Sequence, residues 1–255
     1  MRGLPLLAAL LLAGCASGPG GGAQGGRGRD RAPLPPTAQP TSVIATELAF
    51  ARAAREEGQW VAYSRFAAPG AQVQWDGASG SADRWLAGRA NPPVADSWVP
   101  RQAWSSCDGS AVVIVGTSTD QAGNWSRFTR VWERQKSGDF RWAYTLSLPD
   151  ADLTRARQDS ERERAEDEAR GDAILVEAGN FIRAKVADCT PAPAPPTADA
   201  NVASQVGSGT GASKDRTLRW DWSSSNAAFG RFVAYSWNGT GWDAVHSEPV
   251  AAAGE

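Results

Sequence analysis

Three closely spaced turn signals govern what this chain can fold into. Cys107-Asp108-Gly109, Gln121-Ala122-Gly123 and Ser137-Gly138-Asp139 separate four segments whose apolar residues recur every second position. These segments are Trp98–Trp104, Ala111–Thr117, Asn124–Gln135 and Phe140–Leu148. Connections this short join antiparallel neighbours, because a parallel pair needs a crossover of about a dozen residues or more. The stretch therefore reads as a four-stranded meander. Such a sheet must bury at least one face, and the segments before it supply helices to do so.

Thr41 and Ser42 open the first helix, with Ser42 placed to cap the amides of Val43–Ala45 and Glu47 supporting the first turns. Ile44, Leu48, Ala51 and Arg55 step by three or four and form its expected inward stripe, and Gly58 ends it. A second helix over 59–67 carries Trp60, Tyr63 and Phe66 at helical spacing, and Pro69-Gly70 breaks it. Val73–Trp75 reads as a strand, and Ser81 caps a short turn through Asp83-Arg84-Trp85-Leu86. The fold class is α+β: N-terminal helices on a curved antiparallel sheet, with a C-terminal antiparallel β appendage.

Residues 151–172 hold many Arg and Glu and one large apolar residue, Leu153. Arg157 with Glu161 and Arg164 with Glu168 are pairs four apart, the pattern of a solvated helix. Residues 173–255 form the C-terminal β region. Within it, 190–213 is rich in Pro and Gly and reads as a linker. Thr217–Ser223, Gly230–Trp237 and Trp242–Ser247 then make a meander with a hairpin at Asn238-Gly239. Three strands are marginal alone, so they are expected to dock on the main domain; Trp220, Trp222, Trp237 and Trp242 suit that docking or the binding of a partner strand.

Arg2 precedes an apolar run over 4–13, too short to span a membrane and shaped like a secretory signal. The run ends in Leu12-Ala13-Gly14-Cys15, which resembles the lipobox of bacterial lipoproteins. The resemblance implies that residues 1–14 are a signal peptide and that Cys15 carries acyl chains, palmitate among them. Ala16, where an Asp would mark inner-membrane retention, points to the outer membrane, with the domain on the periplasmic side. Residues 15–40, rich in Gly and Pro, would be the tether. The near-balance of 26 basic and 28 acidic residues gives no footprint for nucleic acid. With one His, and no cluster of Cys, His and Asp at ligand spacing, neither a metal nor a cofactor is expected. Once Cys15 is lipidated, Cys107 and Cys189 remain as an even pair in an oxidising compartment, where such pairs bridge. That bridge would contribute about 4.5 kcal/mol by chain entropy.

Across 41–150 the order of elements resembles the SnoaL-like and ketosteroid-isomerase-like superfamily, which shares the cone of nuclear transport factor 2. The local resemblance rests on Glu47-Leu48-Ala49-Phe50-Ala51-Arg52-Ala53, Gly58, Ala62, Trp98-Val99-Pro100, Cys107-Asp108-Gly109-Ser110 and Gly116. It continues through Thr129-Arg130-Val131-Trp132-Glu133-Arg134-Gln135, Gly138 and Arg141-Trp142. Thr145 stands where the resemblance leads one to expect an Asp. The resemblance implies a concave interior, and Tyr63, Phe66, Trp75, Trp98, Trp132 and Trp142 are its candidate lining.

Two readings of the interior follow. A non-catalytic domain would bind a small apolar ligand or a protein partner there. An isomerase or hydrolase would need a base shifted by burial, for which Tyr63 and Asp76 are the candidates. The structural reading is the favoured one for each: Tyr63 as a core aromatic, Asp76 as a turn cap, Asp83 as a helix-dipole partner and Asp96 as a loop residue. His246 reads as a surface residue. A third reading is a structural envelope protein, and cone domains also form homodimers through the sheet. The anchoring expectation has a direct test. Cys15→Ser should shift the protein from the membrane fraction to the soluble fraction, or leave it unprocessed; unchanged lipid anchoring would refute the lipobox.

Overall fold

In the computed structural model, residues 38–75, 78–170, 181–194, 207–225 and 229–250 are described. Cys15, Asp76 and the proposed signal and tether up to residue 37 lie outside them. The chain runs α1 (Pro40–Glu57), α2 (Gln59–Phe66), β1 (Ala67–Trp75), β2 (Ala78–Ser81), α3 (Ala82–Leu86), β3 (Ser97–Ser105) and β4 (Ala111–Thr119). It continues with β5 (Trp125–Arg134), β6 (Phe140–Pro149), α4 (Ala151–Arg170), β7 (Arg183–Val186), β8 (Gly207–Ala212), β9 (Leu218–Ser225), β10 (Phe229–Trp237) and β11 (Trp242–Val250).

Helix α1 starts at Pro40, whose fixed φ suits the first helical position. Ser42 caps no amide; its hydroxyl donates to the Gln39 carbonyl at 2.8 Å. The buried stripe is rotated one residue from the expected one: Val43, Glu47, Phe50 and Ala54 face inward, while Leu48 is 52% exposed. Helix α2 ends at Phe66, before Pro69-Gly70, which do not break it but lie within β1, where the pairing with β6 shifts register between Ala67 and Gln72. At α3, Ser81 accepts from the Arg84 amide as expected.

Among the described residues the main sheet has the order β2-β1-β6-β5-β4-β3-β7. The meander β3–β6 is antiparallel throughout, but the sheet is mixed rather than antiparallel, because β1 pairs parallel with β6 and β7 parallel with β3. These strands arrive from outside the meander, so no short turn fixes their direction. The parallel run of β3 and β7 has a consequence for the cysteines. Parallel strands end side by side, so Cys107, just past β3, meets Cys189, just past β7. Their Cα atoms are 5.1 Å apart and a disulfide joins them, within the bridging range of about 4.4–6.8 Å.

Helices α1–α3 cover one face of this sheet through Phe50, Tyr63, Trp98, Trp132 and Trp142. The opposite face is covered by the chain's own second sheet, of order β11-β10-β9-β8. Leu218, Trp220, Phe232 and Ala234 pack there on Trp104, Val113, Val131, Tyr144 and Leu146. Residues 207–212, read from composition as linker, are the strand β8. Its glycines are packing sites: a Cβ on Gly209 would lie 2.6 Å from the Trp222 indole nitrogen, and one on Gly211 2.2 Å from the Trp220 ring. The two indoles lie across the glycines that pair with them.

His246 belongs to this inter-sheet contact and is not a surface residue; its side chain is 14% exposed. It stacks on Trp104 at 5.7 Å and lies 2.9 Å from the Thr129 hydroxyl. Glu248 is 3.6 Å away, itself paired with Arg127 at 2.6 Å. Burial, with help from the Arg127 charge, pushes the imidazole pKa down to about 4. The folded state thus refuses a proton that the unfolded chain takes up near its ordinary value of about 6.5. Stability is therefore lost as pH falls from about 6.5 toward 4. Between about pH 7 and about pH 4.5 the wild type should lose on the order of 2 kcal/mol more than His246→Gln in urea unfolding. Equal losses would contradict this.

Candidate functional site

The space between helices and sheet is closed by a buried polar knot. Glu47 from α1 and Arg130 from β5 form an ion pair, with side chains no more than 1% exposed. The indole N–H of Trp98 donates to one Glu47 oxygen at 2.8 Å and that of Trp132 to the other at 2.6 Å. Arg130 also donates to the Tyr63 hydroxyl at 2.9 Å, and its guanidinium lies 4.6 Å from the Phe50 ring centroid. Burial pushes the Tyr63 pKa up, offset only in part by Arg130. The phenol stays protonated and the carboxylate is fully engaged, so neither is free to abstract a proton.

Of the six aromatics expected to line the interior, Tyr63, Trp98, Trp132 and Trp142 are buried in contact with neighbours. The cavity between Tyr63, Trp98, Phe128 and Arg130 measures about 10 Å³, room for one water at most. Phe66 and Trp75 are half-buried and face two different surface depressions.

One depression, about 690 Å³, runs between α1 and the β5–β6 turn and holds Arg65, Arg134 and Arg141. Two of these cations are occupied. Arg65 pairs with Glu57, and Arg141 donates to the carbonyls of Arg65 and Ala67 at the end of α2. The other depression, about 600 Å³, is a cleft at the far end of the helix-facing side of the sheet. Trp75 of β1 lies beside Ser147 of β6, and Ser118 of β4 beside Ser126 of β5. Trp60 of α2, Trp125 of β5 and Asp96 complete its walls. Asp96 is held by Gln59, which donates to its carboxylate at 3.0 Å and accepts its amide at 2.7 Å.

Glu47 and Arg130, the centre of the interior, escaped the sequence reading as a site. The usable signal was the alternation Phe128, Arg130, Trp132, which places a charge on the apolar side of a strand. Trp60 and Trp125 were legible as aromatics, but nothing local marks them as walls of one cleft.

No protein-family model matches the chain, and no curated protein matches it in sequence. Among solved structures it is similar to nuclear transport factor 2 from Cryptosporidium parvum, at 10% identity and a TM-score of 0.35. That match covers 44% of this chain and 94% of the other.

The knot sets two opposite expectations. Glu47→Gln leaves Arg130 buried without a counter-charge and should destabilise by about 3–5 kcal/mol. Thr145, paired across from Arg130, is buried with a hydroxyl that has no partner among the described residues. Thr145→Val keeps its shape and removes that defect, so it should be neutral or stabilising by up to about 1 kcal/mol. Urea unfolding of both variants decides; a Glu47→Gln protein as stable as wild type would refute the account of the knot.

Proposed function

We propose that the protein is a non-catalytic, exported lipoprotein that binds a small ligand in the 600 Å³ cleft. Its residues 41–150 would be a SnoaL-like cone domain whose interior has been filled, and lipid on Cys15 would hold it to the outer membrane facing the periplasm. The observation that carries the reading is the contrast between two spaces. The interior holds about 10 Å³ and a carboxylate already committed to Arg130, while the cleft beside it is open, aromatic and of ligand size.

The same contrast speaks against the isomerase or hydrolase reading, which needs a substrate beside a free base. It also moves the expected apolar ligand from the interior to the cleft. A second copy of the chain would have to use a surface other than the outer face of the main sheet, which β8–β11 already cover.

A ligand-observed NMR screen of neutral and apolar fragments on the Cys15→Ser chain tests the proposal. Hits should compete for one site, be lost in Ser126→Trp, which fills the cleft, and persist in Tyr63→Phe. Hits that survive Ser126→Trp and vanish in Tyr63→Phe would move the site back to the interior and overturn the reading.

A further inference from the structure

Resting on the reading of the cleft as a ligand site, we infer that its ligand is a neutral saccharide. Three properties of the walls select this class, and each rejects a different competitor.

The first is the state of the indoles. Trp60, Trp75 and Trp125 are half-buried around the cleft. The Arg89 guanidinium lies 5.6 Å from the Trp60 centroid and that of Arg157 lies 4.9 Å from Trp125. A ring that already faces a cation gains less from a second one, because both draw on the same quadrupole and repel each other. A quaternary ammonium ligand is therefore disfavoured, although tryptophans beside carboxylates would otherwise suit one. The C–H faces of a sugar ring need an apolar aromatic plane and no charge.

The second is the floor. Ser118, Ser126 and Ser147 come from three adjacent strands and share the helix-facing side. Among the described residues none of their hydroxyls takes part in a side-chain hydrogen bond. Ser118 and Ser147 are already buried to 9% and 4% exposure. A wholly apolar ligand would strip their remaining water and leave the hydroxyls unpaired, which is costly. A ligand carrying its own hydroxyls, spaced around a ring, satisfies them instead.

The third is the rim, where Asp96, Asp120 and Asp150 stand with Arg155, while Arg127 pairs with Asp150 at 3.0 Å and Arg155 with Asp152. An anion there meets three carboxylates and two arginines that already have counter-charges. Hydroxyl donors are accepted, as carboxylate acceptors give the stronger class of hydrogen bond.

Tryptophan fluorescence titration of the Cys15→Ser chain with cellotriose, maltotriose and triacetylchitotriose tests this, with choline and the apolar dye N-phenyl-1-naphthylamine alongside. At least one trisaccharide should give a saturable change. Trp125→Ala should weaken it by about tenfold, ~1.4 kcal/mol. Ser126→Ala, a smaller change at the same site, should weaken it too, and Arg134→Ala in the other depression should leave it unchanged. Saturable binding of choline or the dye with none of the trisaccharides would overturn the saccharide inference and leave the cleft as a ligand site. If nothing saturates, both fall. Saccharide binding indifferent to Trp125→Ala and Ser126→Ala would also overturn the inference.

Discussion

The ion pair of Glu47 and Arg130 organises the helix-facing half of the molecule. Taking two charges out of water is expensive, and their attraction offsets that only when the remaining hydrogen-bonding capacity is also met. Here residues from four elements meet most of it, and the Arg130 Nε–H is left without a partner among the described residues. Trp98 of β3 and Trp132 of β5 donate to the carboxylate, and Tyr63 of α2 accepts from the guanidinium. Phe50 of α1 covers the cation. Such a pair gives specificity more than stability: only one rotation of α1 brings Glu47 to Arg130. That rotation turns Val43 and Phe50 inward and leaves Leu48 at the surface.

The other half depends on a different constraint. With β7 parallel to β3, the disulfide joins the ends of both strands at the point where the chain leaves for β8. Backbone and side-chain bonds continue the clamp: the Cys107 amide donates to Thr217, the Asp108 amide to Asp215 and the Lys214 amide to Ser110. The second sheet is thereby held over Tyr144, Val113 and Leu146, an apolar face too large to leave exposed. It also explains the glycines of β8. With Trp220 and Trp222 lying across that strand, no side chain can occupy 209 or 211.

What the sequence made legible follows the range of the interactions. The four meander strands, the second helix and the Asn238-Gly239 hairpin are set by local alternation and turn chemistry, and all are found where that chemistry places them. The Cys107–Cys189 bridge was legible because counting an even pair of cysteines needs no geometry. The stripe of α1 was misread because periodicity weighs Leu48 above Glu47, and the partner that pulls Glu47 inward is 83 residues away. Strand β8 was misread because Gly-rich composition signals a linker unless two facing tryptophans are known. His246 reads as a surface residue from sequence because the groups that bury it, Trp104 and Thr129, lie on the other sheet. The candidate lining was half legible, since aromatic content marks a core but cannot say whether that core is full.

Polarity along the helix-facing side of the sheet explains why space is left at one end of it. Trp132 and Trp142 form its most apolar row, Arg130 and Thr145 the next, then Phe128 and Ser147, and finally Ser126 and Pro149. Large rings fill the first rows, while serines end the series and cannot fill the gap beneath the helices. Helix α4 keeps the end from collapsing. It buries none of its own residues, yet its first turns hold Trp125 in place. The Trp125 amide donates to Thr154 at 2.8 Å, its carbonyl accepts from the Asp150 amide at 2.9 Å, and Arg157 lies over its ring. A charged helix that reads as mere solvated surface is thus the brace for one wall of the cleft. Its pairing of charges at three- and four-residue spacing lets it stand without a core of its own.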